Sequence, residues 1–139
     1  MVTMVEAQVS NVWENVSFDR ARKLLAEAPD DLMIALNCLP PGAEIEMHFH
    51  VGSGQSYLVL KGSVVIRHRH KELPEERTAE VTLKEGDCIL IPAEVYYQWR
   101  NPGPDEAILY QVKHPGNLIS VEGKGVMDTS QYFGGKGSG

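Results

Sequence analysis

The stretch that decides the fold is residues 41–62, PGAEIEMHFHVGSGQSYLVLKG. Apolar and polar residues alternate through it, which is typical of a half-buried β-strand. Residues two apart in a strand share a face, so the side chains of His48 and His50 can reach one point in space. Gln55 follows a glycine-bearing break, and its amide oxygen can bind a cation. Two histidines on a strand are more often solvated surface residues, and a metal site is the alternative that this pair raises.

Short β-type segments of this kind extend over most of the chain. From residue 32 onward, turn residues separate short β-type runs: LMIALNCL, AEIEMHFH, SYLVL, SVVIRHRH, AEVTL, CILIP, VYYQW and AILYQV. No second helical pattern follows, and the connections are too short to carry crossover helices. The sequence therefore predicts an all-β, antiparallel sandwich or barrel.

The two ends of the chain depart from this pattern. Residues 1–14 have no clean period and are expected to be irregular or a short edge strand. A short helix is predicted over residues 17–28, because Ser17 can cap it, apolar residues recur at helical spacing and Pro29 ends it. We expect this helix to pack on the outside of the domain, with a lid or a dimer arm as the alternative.

Residues 117–121 can add one last edge strand, and the alternation is lost from Val126 onward. The predicted organisation is an N-terminal extension over 1–31, a β-barrel over 32–121 and a tail over 122–139 whose last residues are flexible.

Composition narrows the classes of partner. The 139 residues are enough for one domain. Lys and Arg number 13 against 19 Asp and Glu, a net charge of −6 without a large basic cluster. We therefore expect no nucleic-acid partner. Without an apolar run of about 18–20 residues or a signal-peptide pattern, we expect no membrane segment and a cytoplasmic location.

The two cysteines, Cys38 and Cys88, each lie in an apolar run, and the chain has no C-x-x-C pair. They are predicted to be buried, reduced side chains rather than a disulfide. A catalytic thiol is the alternative.

At this point the sequence resembles the cupin superfamily. The first cupin motif, G-x5-H-x-H-x(3,4)-E-x6-G, is matched from Gly42 through His48 and His50 to Gly62, with Gln55 in place of the glutamate. The resemblance covers most of the chain, roughly residues 32–115.

The second cupin motif, G-x5-P-x-G-x2-H-x3-N, resembles the run GDCILIPAEVYYQWRN. Gly86, Pro92 and Asn101 fall in register, whereas Glu94 replaces the motif glycine and Tyr97 replaces the motif histidine.

The resemblance implies a small antiparallel jelly roll, commonly a homodimer, with its site in the mouth of the barrel. It places four side chains at the metal-ligand positions: His48, His50, Gln55 and Tyr97. It implies one divalent transition metal, zinc, nickel, iron or manganese, with a metal-free pocket as the alternative.

An amide in place of a carboxylate leaves such a metal more of its positive charge, which favours Lewis-acid chemistry. The resemblance therefore implies a lyase, isomerase or cyclase acting on a small sugar acid or polyketide-like compound. A ring-cleaving dioxygenase and a non-catalytic binding module are the alternatives. Tyr97 is a candidate metal ligand and a candidate general acid or base.

Strand parity supplies further candidates. Tyr57 shares a face with Gln55, and Trp99 shares one with Tyr97, so both aromatics are predicted on the cavity wall or in the core. In AILYQVKH the inward parity stays open, so the candidate substrate anchors are two pairs: Gln111 with Lys113, and Tyr110 with His114.

A second His-x-His, His68 and His70, is read as the end of a strand whose basic residues are balanced by Glu72, Glu75 and Glu76. A second metal or a proton relay is the alternative.

Overall fold

The computed structural model describes residues 6–29, 31–114 and 118–128. Within them the chain forms eleven strands and two 3₁₀ turns, at Val12–Asn15 and Glu75–Arg77. The strands are β1 Arg22–Ala28, β2 Leu32–Leu39, β3 His48–His50, β4 Gln55–Lys61, β5 Ser63–His70, β6 Ala79–Lys84, β7 Cys88–Ile91, β8 Val95–Arg100, β9 Ala107–Lys113, β10 Leu118–Val121 and β11 Gly125–Asp128. None of the helical segments in the described ranges has the length and apolar character needed to cross a membrane.

The strands form two antiparallel sheets. One has the order β1-β2-β9-β4-β7, and the other has the order β11-β10-β3-β8-β5-β6. Six of the nine neighbouring pairs in the described sheets join strands that are not consecutive in the chain, because the chain passes back and forth between the two sheets. This is a double-stranded β-helix, so the predicted all-β jelly roll is confirmed.

The inward-facing side chains change from polar to apolar along the strands. On β4 they run Gln55, Tyr57 and Val59, which are 3%, 2% and 1% exposed. On β9 the partners of Tyr57 and Val59 are Gln111 and Leu109. The apolar end continues into a cluster that includes Leu39, Val64, Ile66, Leu83 and Ala107. Each large aliphatic side chain buried there stabilises the fold by roughly 1.5–3 kcal/mol, which offsets the burial of polar groups at the other end.

The predicted helix over residues 17–28 is wrong. The only helical turn near it in the described part of the chain is the 3₁₀ turn at Val12–Asn15, capped by the side chain of Asn11. Residues 22–28 form β1, which pairs antiparallel with β2. The N-terminal segment therefore extends a sheet of the barrel.

A β-bulge explains why the pattern resembled a helix. The register between β1 and β2 shifts between Leu24 and Ala26, and a bulge adds a residue that breaks the two-residue alternation. Adjacent apolar residues then mimic helical spacing. Leu25 and Phe18 bury their side chains on the outer face of the sheet, against a cluster formed by Leu36, Cys38 and Ile108.

The C-terminal boundary also differs from the prediction. The strand expected at the edge, β10, lies inside its sheet between β3 and β11. β11 pairs with β10 across a tight turn, Val121 opposite Gly125, so the start of the predicted tail belongs to the sheet. The remainder of that tail, residues 129–139, lies outside the described residues.

The prediction that both cysteines are buried is correct only for Cys38. Cys38 is 2% exposed and packs under the N-terminal segment, and burial raises the pKa of its thiol. Cys88 is exposed because it lies on β7, an edge strand, and on the outward-facing side of that strand. Both are free thiols.

Glu94, at the position of the motif glycine, keeps the backbone conformation of a glycine. Its φ is 68°, and it is the one non-glycine residue with positive φ in the described chain. Its N–H donates to the carbonyl oxygen of His50 over 3.2 Å, and its carboxylate pairs with Lys71 Nζ at 3.0 Å. The turn before β8 is therefore held in a conformation that favours glycine.

We expect Glu94→Gly to be more stable than Glu94→Ala by about 1 kcal/mol, because only glycine adopts positive φ without steric cost. Both variants remove the ion pair with Lys71, so the difference between their free energies of unfolding reports the cost of positive φ alone. Urea unfolding measures it. Ala93→Gly, one residue earlier and at negative φ, is the control and should destabilise. Equal stability of the two Glu94 variants would contradict this account.

Candidate functional site

A cavity of about 530 Å³ opens at the polar end of the barrel. Six of the predicted site residues lie on its wall: His48, His50, Tyr57, Tyr97, Trp99 and Gln111. Gln55 and Lys113 are buried, both 3% exposed, but they are not among the described residues that line the cavity. Gln55 and Lys113 face each other across β4 and β9.

The histidine pair lies on β3, and the strand is buried on both faces. His48 and His50 are 1% and 4% exposed, and their ring centroids are 5.4 Å apart. His48 Nδ1 lies 2.8 Å from the carbonyl oxygen of Glu46. Since that oxygen can only accept, Nδ1 carries the proton and the lone pair of the neutral ring is on Nε2.

His50 is held differently. Its Nε2 lies 3.4 Å from the hydroxyl oxygen of Tyr97. Its Nδ1 is buried and has no hydrogen-bond partner among the described residues. An unpaired buried nitrogen costs about 1–3 kcal/mol. A bound ligand, ion or water that contacts the ring nitrogen of His50 would remove this cost.

Burial keeps both imidazoles neutral. It lowers the pKa of His48 to about 4, against a smaller opposing effect of the Glu46 carbonyl. It lowers the pKa of His50 to about 2, with a further contribution from the positive charge of Lys113. Burial likewise lowers the pKa of Lys113 to about 8. At neutral pH both rings therefore keep a lone pair, which metal binding requires.

Two tyrosines meet below the histidines. The hydroxyl oxygens of Tyr57 and Tyr97 are 3.0 Å apart. Burial raises the pKa of Tyr57 to about 12, and burial followed by the charge of Tyr57 raises the pKa of Tyr97 well above its ordinary value. Both phenols are protonated at neutral pH and act as hydrogen-bond donors. A role for Tyr97 as ligand or acid–base group stays a prediction.

A chain of buried amides supports Tyr97 from the opposite sheet. Asn37 Nδ2 donates to Gln111 Oε1 over 3.2 Å, and Gln111 Nε2 donates to Gln55 Oε1 over 2.6 Å. A hydrogen bond from Gln55 opposes the rise in the pKa of Tyr97. The amide oxygen of Gln55 therefore accepts a hydrogen bond from Gln111 through one of its two lone pairs, and its amide nitrogen faces the phenol.

These donors fit a divalent transition metal in part. The described residues contain no group of three or more His, Cys, Asp and Glu side chains placed to hold a metal. The two neutral imidazoles are suitable ligands, and the Glu46 carbonyl orients His48 as outer partners orient metal-binding histidines. Gln55 has a second lone pair, whereas Tyr97 would have to lose its proton against the effect of burial.

The second histidine pair stays away from the cavity. His68 and His70 lie on β5 and do not line the cavity within the described chain. The backbone N–H of Glu72 donates to His70 Nδ1 over 3.1 Å, which supports the interpretation as a strand end.

The predicted carboxylate partners at this strand end are wrong. Arg69 pairs with Glu122 at 2.6 Å and Lys71 pairs with Glu94 at 3.0 Å. The acids come from the β10–β11 turn and from the turn before β8, because these elements lie across from the end of β5.

Several residues that line the cavity were not predicted from the sequence. Asn37, on β2, lies 2% exposed inside the barrel, and it was detectable as the one polar residue within LMIALNCL. Arg22, on β1, lines the cavity but fell within the segment assigned to a helix. Glu44 and Glu46 also line it, from the exposed segment before β3.

Comparison with known proteins gives a family match. The model of the cupin domain matches residues 35–113, more than half of the chain. The search of curated proteins finds no match.

Solved structures share the fold at low identity. BH2720 from Bacillus halodurans is 23% identical, with a TM-score of 0.68 over 80% of this chain and 83% of its own. A double-stranded β-helix protein from Klebsiella pneumoniae is 22% identical, with a TM-score of 0.66 over 84% and 97%.

The capsular polysaccharide assembling protein CapF from Staphylococcus aureus is 20% identical, with a TM-score of 0.64 over 82% of this chain and 33% of CapF. This chain thus spans about a third of CapF. CapF has also been solved with the inhibitor 3-isopropenyl-tropolone.

We expect the metal-free protein to lose stability as the pH falls from 7.5 to 5. The folded pKa values of about 4 and 2 lie below the ordinary value of 6.5, so the unfolded chain binds more protons below pH 6.5. The loss at pH 5 is about 2 kcal/mol for each histidine. Urea unfolding with a chelator present measures it. His50→Gln should remove about half of the pH dependence, and a flat profile in the wild type would contradict the burial argument.

Proposed function

This chain belongs to the cupin family, and on that premise we propose that it is a metal-dependent lyase, isomerase or cyclase acting on a small oxygenated substrate. The proposal is carried by one observation: two neutral, buried imidazoles lie side by side on the wall of a cavity of about 530 Å³. Cavities of roughly 300–1,000 Å³ suit small molecules.

His48 and His50 would hold the metal, with Gln55 and Tyr97 as the further candidate ligands. A bound divalent metal supplies Lewis-acid chemistry, polarising a carbonyl or acidifying the adjacent C–H. The remaining steps fall to the side chains. Tyr97 holds a proton on its hydroxyl at neutral pH because burial raises its pKa, so it would donate a hydrogen bond to a developing oxygen and protonate it where that oxygen is more basic than the phenolate.

The cavity wall favours a compact substrate with a flat body. Trp99 and Ile45 supply apolar surface, while Tyr57, Gln98 and Gln111 supply polar contacts. A small sugar acid or polyketide-like compound has this mixture. The tropolone bound by CapF is an oxygenated ring, which makes tropolone a useful first probe of this cavity.

A non-catalytic binding module is the second candidate, and the amide chain favours it. Asn37, Gln111 and Gln55 satisfy one another without any added species, and a protonated Tyr97 is a poor metal ligand. The same cavity would then bind its ligand through hydrogen bonds alone. Turnover of candidate sugar acids or phenolics separates the two functions, and oxygen consumption would indicate a ring-cleaving dioxygenase instead.

A homodimer in a reducing cytoplasm completes the proposal. The thiols Cys38 and Cys88 lie apart, one buried and one on an exposed edge strand, which is compatible with a compartment that keeps them reduced. Sedimentation velocity measures the oligomeric state.

Elemental analysis of the purified, tag-free protein tests the metal site. We expect near-stoichiometric metal in the wild type, at least a tenfold loss in His48→Ala, and retention in Tyr97→Phe if the tyrosine acts on substrate. His70→Ala removes an exposed imidazole from β5 and is the matched control.

Absence of metal from every sample, even after incubation with zinc, nickel, iron and manganese, would overturn the metalloenzyme and promote the binding module. Loss of metal in Tyr97→Phe would instead make Tyr97 a ligand.

A further inference from the structure

Arg22 brings a positive charge to the wall of the cavity. It lies at the start of β1, opposite Asn37 of β2, and its side chain lines the cavity together with both histidines and both tyrosines. The residue is half-buried. Its position follows from the pairing of β1, which extends the sheet beyond β2 at the polar end of the barrel.

Arg22 is the only lysine or arginine among the described residues that line the cavity. Asn37, Gln98 and Gln111, which line the same cavity, are neutral side chains. An anionic ligand therefore has one formal positive charge to meet on this wall, at Arg22.

The carboxylates on the cavity wall lie at its mouth. Glu44 and Glu46 are exposed, and Glu46 Oε1 pairs with Lys124 Nζ at 2.7 Å. Solvent screens them more strongly than groups deeper in the cavity. Arg22 is half-buried, so its charge is screened less than theirs.

We propose that Arg22 anchors the carboxylate of the ligand, and that the ligand class of this cavity is small monocarboxylic acids with a flat, oxygenated body. The guanidinium group presents parallel N–H donors that match the two oxygens of a carboxylate. Trp99 and Ile45 contact the body of the ligand, and its other oxygens lie toward the histidines. The inference rests on the proposed function only in using the same cavity, and it applies equally to an enzyme and to a binding module.

Arg22 is better placed for this role than Lys113, the other basic candidate. The Nζ of Lys113 donates to the carbonyl oxygen of His114 over 3.1 Å, and Lys113 is not among the described residues that line the cavity. A single arginine among neutral donors suits a carboxylate better than a phosphate, whose second charge calls for further cations.

Calorimetric titration with matched acids and neutral analogues tests the anchor. The probes are benzoate with benzamide, and D-galacturonate with D-galactose, each titrated into chelator-treated and metal-loaded protein. We expect at least one acid to bind at least tenfold more tightly than its neutral analogue. Arg22→Gln should abolish that preference, and Arg22→Lys should retain part of it.

Lys23→Gln is the matched control, because it removes the same charge from the next, exposed position of β1. We expect it to keep the preference. Equal binding of acid and analogue, an unchanged preference in Arg22→Gln, an equal loss in Lys23→Gln, or no binding by either acid would each overturn the anchor. If Arg22→Gln does not fold, the wild type is tested alone, and equal affinity for each acid and its neutral analogue would overturn the anchor.

The two proposals fail separately. A preference for acids that persists in chelator-treated protein, together with absence of metal from every preparation, overturns the metalloenzyme and supports the anchor. A metal-loaded protein that does not distinguish acids from their analogues supports the metal site and overturns the anchor.

Discussion

The structure depends on the pairing of polar side chains buried between its two sheets. Asn37, Gln111, Gln55 and Tyr97 are each at most 3% exposed, and a buried polar group without a partner costs about 1–3 kcal/mol. Each of them therefore has to meet its neighbour. Gln111 donates to the amide oxygen of Gln55 over 2.6 Å, so the amide nitrogen of Gln55 faces the tyrosine. This sets the direction of donation along the row of buried amides.

This pairing ties the site to the topology. Asn37, Gln111 and Gln55 come from β2, β9 and β4, three neighbouring strands of one sheet, while Tyr97 and the histidines come from β8 and β3 of the other. A register slip of one residue would turn each inward side chain to the outer face. The apolar end of the barrel supplies the stabilisation that this arrangement needs, and the polar end supplies the chemistry.

Alternation in the strands predicted an all-β sandwich or barrel, and the resemblance to cupins added the jelly roll and a common site for His48, His50 and Tyr97. Strand parity added Tyr57 and Trp99, and all five line one cavity. Local pattern failed where a sheet feature broke the alternation. The bulge near Leu25 produced an apolar spacing that resembles a helix. Arg22 was assigned to that helix, so its place on the cavity wall was not predicted.

Edge position is another property that local pattern does not contain. Cys88 lies in an apolar run, but its strand has a neighbour on one side only within the described sheet. Pairing between remote strands also decides which parity of β9 faces inward, since Gln111 meets Gln55 across a separation of 56 residues. Such contacts follow from the closed fold, and the residues on either side of Gln111 do not specify them.

The electrostatics of the cavity connect its cationic and neutral groups. Burial alone would lower the pKa of an imidazole, and Arg22 and Lys113 lower that of His50 further. These charges work against a bound divalent cation through Coulomb repulsion. At the proposed site an anionic ligand would change the balance, because it would attract both the guanidinium group and a bound metal. Metal and acid would then bind more tightly together than either alone, and by thermodynamic reciprocity each would raise the affinity for the other by the same factor.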